Sequence, residues 1–276
     1  MKSAHTAADL GDDLRELGLR EGDVVLVHAS LRTVGRTAEG AETVLGALRR
    51  AVGPSGTIVV PAFTADNSLT SSAHRERIRG MTAEQSAAFR ANMPGFDPAT
   101  TASSGMGALA ERLRTSPGAL RSGHPQTSMA ALGRHAREIT ASHPLDCHLG
   151  EASPLGRLYR LQAHVLLLGV GFDRCTALHL AEYRLADPPR QTYSCVLAAQ
   201  GAERGRQWHE FEDVALDDSD FARIGAWLED QSIGPGRPLV RHGLVGAAPT
   251  RLLPLRPAVD LALHWLKRHR TVERKA

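Results

Sequence analysis

Three apolar runs restrict what this chain can fold into: Val24-Val25-Leu26-Val27, Gly56-Thr57-Ile58-Val59-Val60-Pro61, and Leu166-Leu167-Leu168-Gly169-Val170-Gly171. None alternates polar with apolar residues, so each reads as a strand buried on both faces, as in sheets sandwiched between helices. Helical spacing fills the intervals. Leu10, Leu14 and Leu17 mark a helix over 6–18 that stops at Gly18, and Val44, Leu45 and Leu48 mark one over 40–52 that stops at Gly53-Pro54. Strand, helix and strand from 24 to 61 form a βαβ unit. The expected fold is α/β, with a mixed, largely buried central sheet, helices on both faces, and an added loop-and-helix insertion.

The rest of the chain supplies further elements. Helical patterns are expected near 82–91, 106–114, 134–141, 154–161, 219–231 and 256–269, with strands near 128–132, 164–170 and 239–246. Residues 191–199 and 206–213, split by Gly201-Ala202-Glu203-Arg204-Gly205, read as a β-hairpin. Pro188-Pro189 is expected to stop the helix that carries His179. Residues 64–104 are polar and rich in Ser, Ala, Asn and Pro, a lid or substrate-side excursion or else a surface loop. With no repeat and no linker, the whole of 1–276 is expected to be one domain with that insertion.

Composition excludes several classes. No run reaches the roughly 18 apolar residues of a membrane span, and Met1-Lys2-Ser3-Ala4-His5 leads into Asp9, Asp12 and Asp13 rather than an apolar signal core. A cytoplasmic location is expected. Cys147, Cys175 and Cys195 lack CxxC spacing, so neither a disulfide scaffold nor a zinc clip is indicated. Net charge is only +3 and aromatics are 4% of residues, which argues against a base-stacking nucleic-acid surface. The basic tail Lys267-Arg268-His269-Arg270 reads as the solvated end of a final helix.

The chemistry concentrates after the third apolar run. The glycines of 169–171 break the strand, and Thr176-Ala177-Leu178-His179-Leu180-Ala181-Glu182 opens a helix, the arrangement that places active sites at strand carboxyl ends in open α/β folds. His179 and Glu182, three apart, share a helical face. A plain reading remains open beside this one: a capping threonine, a packed histidine and a solvated glutamate. Cys175 admits a cysteine–histidine nucleophile or an inert buried thiol. HxxE lacks the second histidine of a zinc motif, so no metal is expected. His124, His143 and His148 lie in proline-bearing loops as structural or surface groups. From 209 to 220 there are six carboxylates and no Lys or Arg, either a solvated loop capped by Asp218 or Ser219, or a rim for a cationic substrate that also orients His179.

Val27-His28-Ala29-Ser30-Leu31 with Val34-Gly35, Gly53 to Pro61, Arg121-Ser122-Gly123-His124-Pro125, Ser128 to Gly133, Ser153-Pro154-Leu155 and the 166–182 stretch together resemble the aminoglycoside 3-N-acetyltransferase family, the non-GNAT antibiotic acetyltransferases. The resemblance runs from about 6 to 265. It implies acetyl transfer from acetyl-coenzyme A to the 3-amino group of 2-deoxystreptamine antibiotics, hence resistance to them. It implies His179 as base, Thr176 beside the thioester, and a downstream carboxylate on the histidine, best matched by Glu212 with Asp213 and Glu210 as near alternatives. His28, Ser30, Leu31, Val34, Gly35 and Ser122 fall on segments that would contact the coenzyme. Asp66, Glu182, Glu210 and Asp213 would face a small polycationic amine. No nucleic-acid or membrane partner is implied, and the chain would act as monomer or homodimer. Rival readings are the same chemistry on a non-aminoglycoside biosynthetic amine, a covalent acetyl-Cys175 route, and a non-catalytic aminoglycoside-binding module.

Overall fold

The computed structural model describes residues 4–198 and 205–273. Residue 199 of the expected first hairpin strand and 201–204 of the expected 201–205 turn therefore lie outside the described part. In chain order the elements are α1 (Ala7–Leu17), β1 (Val24–Ala29), α2 (Leu31–Val34), α3 (Ala41–Val52), β2 (Thr57–Pro61), α4 (Ser72–Arg77), α5 (Ala83–Ala91), α6 (Gly107–Arg114), β3 (Leu120–Arg121), β4 (Met129–Gly133), α7 (Ala136–Thr140) and α8 (Pro154–Arg160). They continue with β5 (His164–Leu168), α9 (His179–Tyr183), β6 (Arg190–Ala198), β7 (Arg206–Val214), α10 (Phe221–Glu229), β8 (Arg241–Val245), β9 (Ala248–Pro254) and α11 (Leu255–Glu273).

Seven strands form one mixed sheet in the order β3-β4-β2-β1-β5-β9-β8. The three apolar runs are its centre: β1 pairs in parallel with β2 on one side and β5 on the other. Alternate side chains enter two separate cores, as burial on both faces requires. Val25, Val27, Ile58, Val60, Leu166 and Leu168 pack with Leu10, Leu14, Leu45 and Leu48 of α1 and α3. Leu26, Val59, Val165 and Leu167 pack against Leu155, Leu158, Phe221, Val259 and Leu266 on the opposite face. The expected α/β sheet with helices on both faces is the observed one.

Two local expectations change. The second strand of the β8–β9 hairpin, which pairs antiparallel with β5, has no counterpart in the sequence reading; Pro249, Arg251 and Pro254 interrupt its apolar pattern. The helix carrying His179 ends at Tyr183, capped by Arg184, several residues before Pro188-Pro189. The prolines instead lead into β6, where the Pro189 carbonyl accepts from the Ala215 N–H at 2.8 Å. Segment 64–104 contains a 3₁₀ turn, Ala65–Asn67, followed by α4 and α5. Among the described residues no helix is long and apolar enough to cross a membrane.

The β6–β7 hairpin lies outside the main sheet and is tied down through polar groups. Asn67 donates its amide to the Val196 carbonyl and accepts from the Val196 N–H, both at 2.8 Å, a strand-like pairing made by a side chain. Gln126 donates to the carbonyls of Asn67 and Ser194, each at 2.9 Å.

Candidate active site

The carboxyl ends of β1 and β5 are locked side by side. The Ser30 N–H donates to the Leu168 carbonyl at 2.9 Å. Gly169 then turns with φ of +65°, and a Cβ there would lie 1.7 Å from Thr33 Oγ1, so only glycine lets the two strand exits approach this closely. Two short 3₁₀ turns, Phe172–Arg174 and Thr176–Leu178, carry the chain from β5 into α9. His28, Ala29, Ser30 and Leu31 thereby face Cys175, Thr176 and His179 across one cavity of about 720 Å³. Phe63 and the small residues Gly105, Gly107 and Ala108 form another wall, and Arg32, Arg174, Asp173 and Asp218 also line it. The size falls within the range of about 300–1,000 Å³ usual for small-molecule sites.

His179 is held from two sides. Its Nδ1 lies 2.6 Å from Glu182 Oε2, and Phe221 packs on the ring with centroids 4.7 Å apart. A carboxylate on Nδ1 fixes the tautomer with its proton there and leaves the Nε2 lone pair free to accept. Glu182 is 1% exposed and fully engaged: its other oxygen accepts from the Asp217 N–H at 3.1 Å and from Arg270.

His28 is the second imidazole of the cavity. It is 8% exposed, and its Nε2 is buried with no hydrogen-bond partner on the chain. Burial foremost, and the charge of nearby His179 second, push its pKa down to about 3, so it is neutral near pH 7. Cys175 is 1% exposed, and burial pushes its thiol up to about 12, the reverse of an activated nucleophile.

The structure brings together five of the residues singled out from sequence: His28, Ser30, Leu31, Thr176 and His179. The carboxylate assignment is corrected. Glu212 sits on the exposed face of β7, paired across the hairpin with Thr192, whereas Glu182 is the group against His179. Glu182 accordingly is no substrate-facing carboxylate, since it is buried behind the histidine. Asp213 does not face a substrate either. It is 1% exposed and accepts from the His148 N–H and Nδ1, both at 2.7 Å, and from the Tyr183 hydroxyl at 2.5 Å.

The other candidates disperse. Val34 is buried in the core, and Gly35 abuts Ala247 and His5. Ser122 is fully buried, its hydroxyl 2.9 Å from His143 Nδ1 and accepting from the Met129 N–H. Asp66 accepts from Ser104 beside the cavity wall. Glu210 lines a separate depression of about 510 Å³ with Trp208, Ser194 and Arg90.

His124 and His148 are buried, and with His143 they form a block of mutually tilted rings whose nitrogens are taken up by hydrogen bonds. Among the described residues no group of three or more His, Cys, Asp or Glu could hold a metal. The sequence reading missed Arg270, taken for a solvated tail residue, and left open the Asp217–Asp220 run that surrounds it. Only the i, i+3 spacing of His179 and Glu182 was a usable signal.

Residues 26–267 match the family described as aminoglycoside 3-N-acetyltransferase. The chain belongs to that family. It is 38% identical over 276 residues to aminoglycoside N(3)-acetyltransferase VII of Streptomyces paromomycinus, covering 95% of this chain and 91% of that one. It is 36% identical over 261 residues to the aminoglycoside N(3')-acetyltransferase-like protein YokD of Bacillus subtilis, covering 94% of this chain and 92% of the relative. The crystal structure of YokD superposes with a TM-score of 0.89, covering 98% and 96% of the two chains. A structure of the acetyltransferase AAC-IIIb in binary complex with CoASH superposes with a TM-score of 0.80 at 35% identity, covering 96% and 97%. The fold is thus common to relatives that share about a third of their residues.

Proposed function

We propose that this acyltransferase moves the acetyl group of acetyl-coenzyme A to the 3-amino group of a 2-deoxystreptamine aminoglycoside by direct transfer, with His179 as general base. The observation that carries this reading is the Glu182–His179 pair opening onto the cavity that also contains Thr176 and His28.

The residues present suit a coenzyme A thioester. Arg32 and Arg174 are the cations lining the cavity, suited to phosphates. Ser30 and the unpartnered His28 offer polar groups to the pantetheine arm or the thioester. Asp218, whose carbonyl accepts from the Phe221 N–H, also lines the cavity and draws the cationic acceptor despite the chain's positive total. The substrate amine must shed a proton to attack. His179 Nε2 accepts it while Glu182 stabilises the imidazolium. Thr176 Oγ1 donates to the oxygen that gains charge on the thioester carbon, and the departing thiolate carries off the electron pair of the broken C–S bond.

The test is release of free thiol from acetyl-coenzyme A against a panel of 2-deoxystreptamine aminoglycosides and unrelated amines, with the acetylated position read by NMR. Turnover on the aminoglycosides, and a kcat at least about 100-fold lower in His179→Ala, is the expected result. Near-normal turnover of that variant would overturn His179 as base. Turnover confined to other amines would move the substrate class, and tight aminoglycoside binding without thiol release would make the protein a sequestering module.

A further inference from the structure

From the contacts around Glu182, we infer that Arg270 of the final helix is a positioning residue for the active site: it clamps the carboxylate that holds His179. Arg270 stands 88 residues from Glu182 in sequence. One edge of its guanidinium donates to Glu182 Oε1. The other makes a paired contact with Asp220, Nε to Oδ2 at 2.8 Å and Nη2 to Oδ1 at 2.7 Å, and Nη2 also donates to the Asp217 carbonyl at 2.6 Å.

The Asp217 N–H returns to Glu182 Oε1, so the cation, the carboxylate and the 217–220 loop close into one network. The next residue, Phe221, is the ring against His179. Burial by itself would lower the Arg270 pKa, and the Asp220 and Glu182 carboxylates more than offset it.

The arrangement has two effects. It fixes Glu182 Oε2 toward Nδ1 by occupying Oε1, and it sets a permanent positive charge behind the carboxylate. Removing that charge would leave Glu182 to favour the imidazolium more strongly. The acidic 217–220 run is explained as well, since Asp217 and Asp220 face an internal cation. Among the described residues, the titratable and charged groups around Glu182 include His179 on its own helix, Asp217 and Asp220 on the loop before α10, Arg270 on α11 and Tyr193 on β6.

This inference rests on His179 being the base, so the experiment begins with His179→Ala in the full chain. Loss of turnover there, followed by Arg270→Met, separates the two claims. The expected result for Arg270→Met is a kcat reduced about 10- to 100-fold, an unchanged KM for acetyl-coenzyme A, and an acid limb of the pH–rate profile moved to higher pH. Arg270→Lys should restore the limb but only part of kcat, because lysine keeps the charge without the fork. Free guanidinium ion should rescue Arg270→Ala, and in an E182Q background Arg270→Met should cost less than threefold.

If Arg270→Met does not fold, Asp220→Asn, which loosens the opposite edge of the guanidinium, should give the same shift in smaller degree. An inactive His179→Ala beside an Arg270→Met (or Asp220→Asn) of wild-type kcat and pH profile would overturn the inference. So would a loss of kcat with no pH shift and no rescue by guanidinium.

Discussion

Acidification from pH 7.5 to 5.5 should destabilise this protein, and His28 allows the loss to be worked out. The folded chain keeps His28 neutral with a pKa near about 3, against 6.5 for the free side chain. Between those values the unfolded chain binds the extra proton, so stability rises with pH and is lost as pH falls below about 7. Well below 6.5 the loss is 1.36 kcal/mol per pH unit; the step from 7.5 to 5.5 straddles that value and costs about 1.4 kcal/mol for this one group. His143, pushed to about 3 by its burial, adds to the loss, and His74, His124 and His164 shift in the same direction.

Other shifted groups act elsewhere. The lowered Asp213, and Glu111 at about 2, contribute stability that is lost only as pH falls below roughly 4. Cys175 and Cys195, raised to about 12, matter only above the ordinary thiol value of 9.0. Urea unfolding at pH 7.5, 6.5 and 5.5 measures the loss directly, and His28→Gln isolates the share of one side chain. The variant should lose about 1.4 kcal/mol less than wild type across the window. Equal stability of wild type at both ends, or the same pH slope in both proteins, would refute a neutral, buried His28.

Three further outcomes follow from the same geometry. Glu182→Gln should lower kcat by about 10- to 150-fold, the loss of one hydrogen bond to a charged group, while Glu212→Gln on the exposed hairpin face stays near wild type; parallel thiol-release assays compare them. Cys175→Ala should keep kcat within about threefold, because a buried thiol with so high a pKa is not a nucleophile, and the absence of an acetylated protein in rapid-quench mass spectrometry would agree. Asp213→Ala should cost about 3–5 kcal/mol in urea unfolding, since it strands His148 and Tyr183 as buried donors and loosens the β6–β7 hairpin.

What the sequence determined by itself was local in origin. Runs such as Val24–Val27, short and β-branched, read as strands covered on both sides, and Leu10, Leu14 and Leu17 read as a helix laid against them, because periodicity records which faces are buried. The glycines after β5 announced a turn, and with it the position of His179 and Thr176 at a strand end. The hairpin of β6 and β7 was visible for the same reason.

The partner of His179 was decided by tertiary structure. The i, i+3 spacing puts Glu182 on the face of His179, but that spacing does not say that Glu182, rather than a hairpin carboxylate of the same charge, is the buried one. Packing of α9 against α11 and the 217–221 loop decides it, by removing Glu182 from water and giving its charge to Arg270 and His179. Asp213 goes to His148 and Tyr183, and Ser122 goes to His143, through loops far apart in the chain. A buried ionic group must find its counterpart wherever the fold brings one, and that separation, 88 residues for Arg270 and Glu182, leaves no trace in the spacing of the sequence.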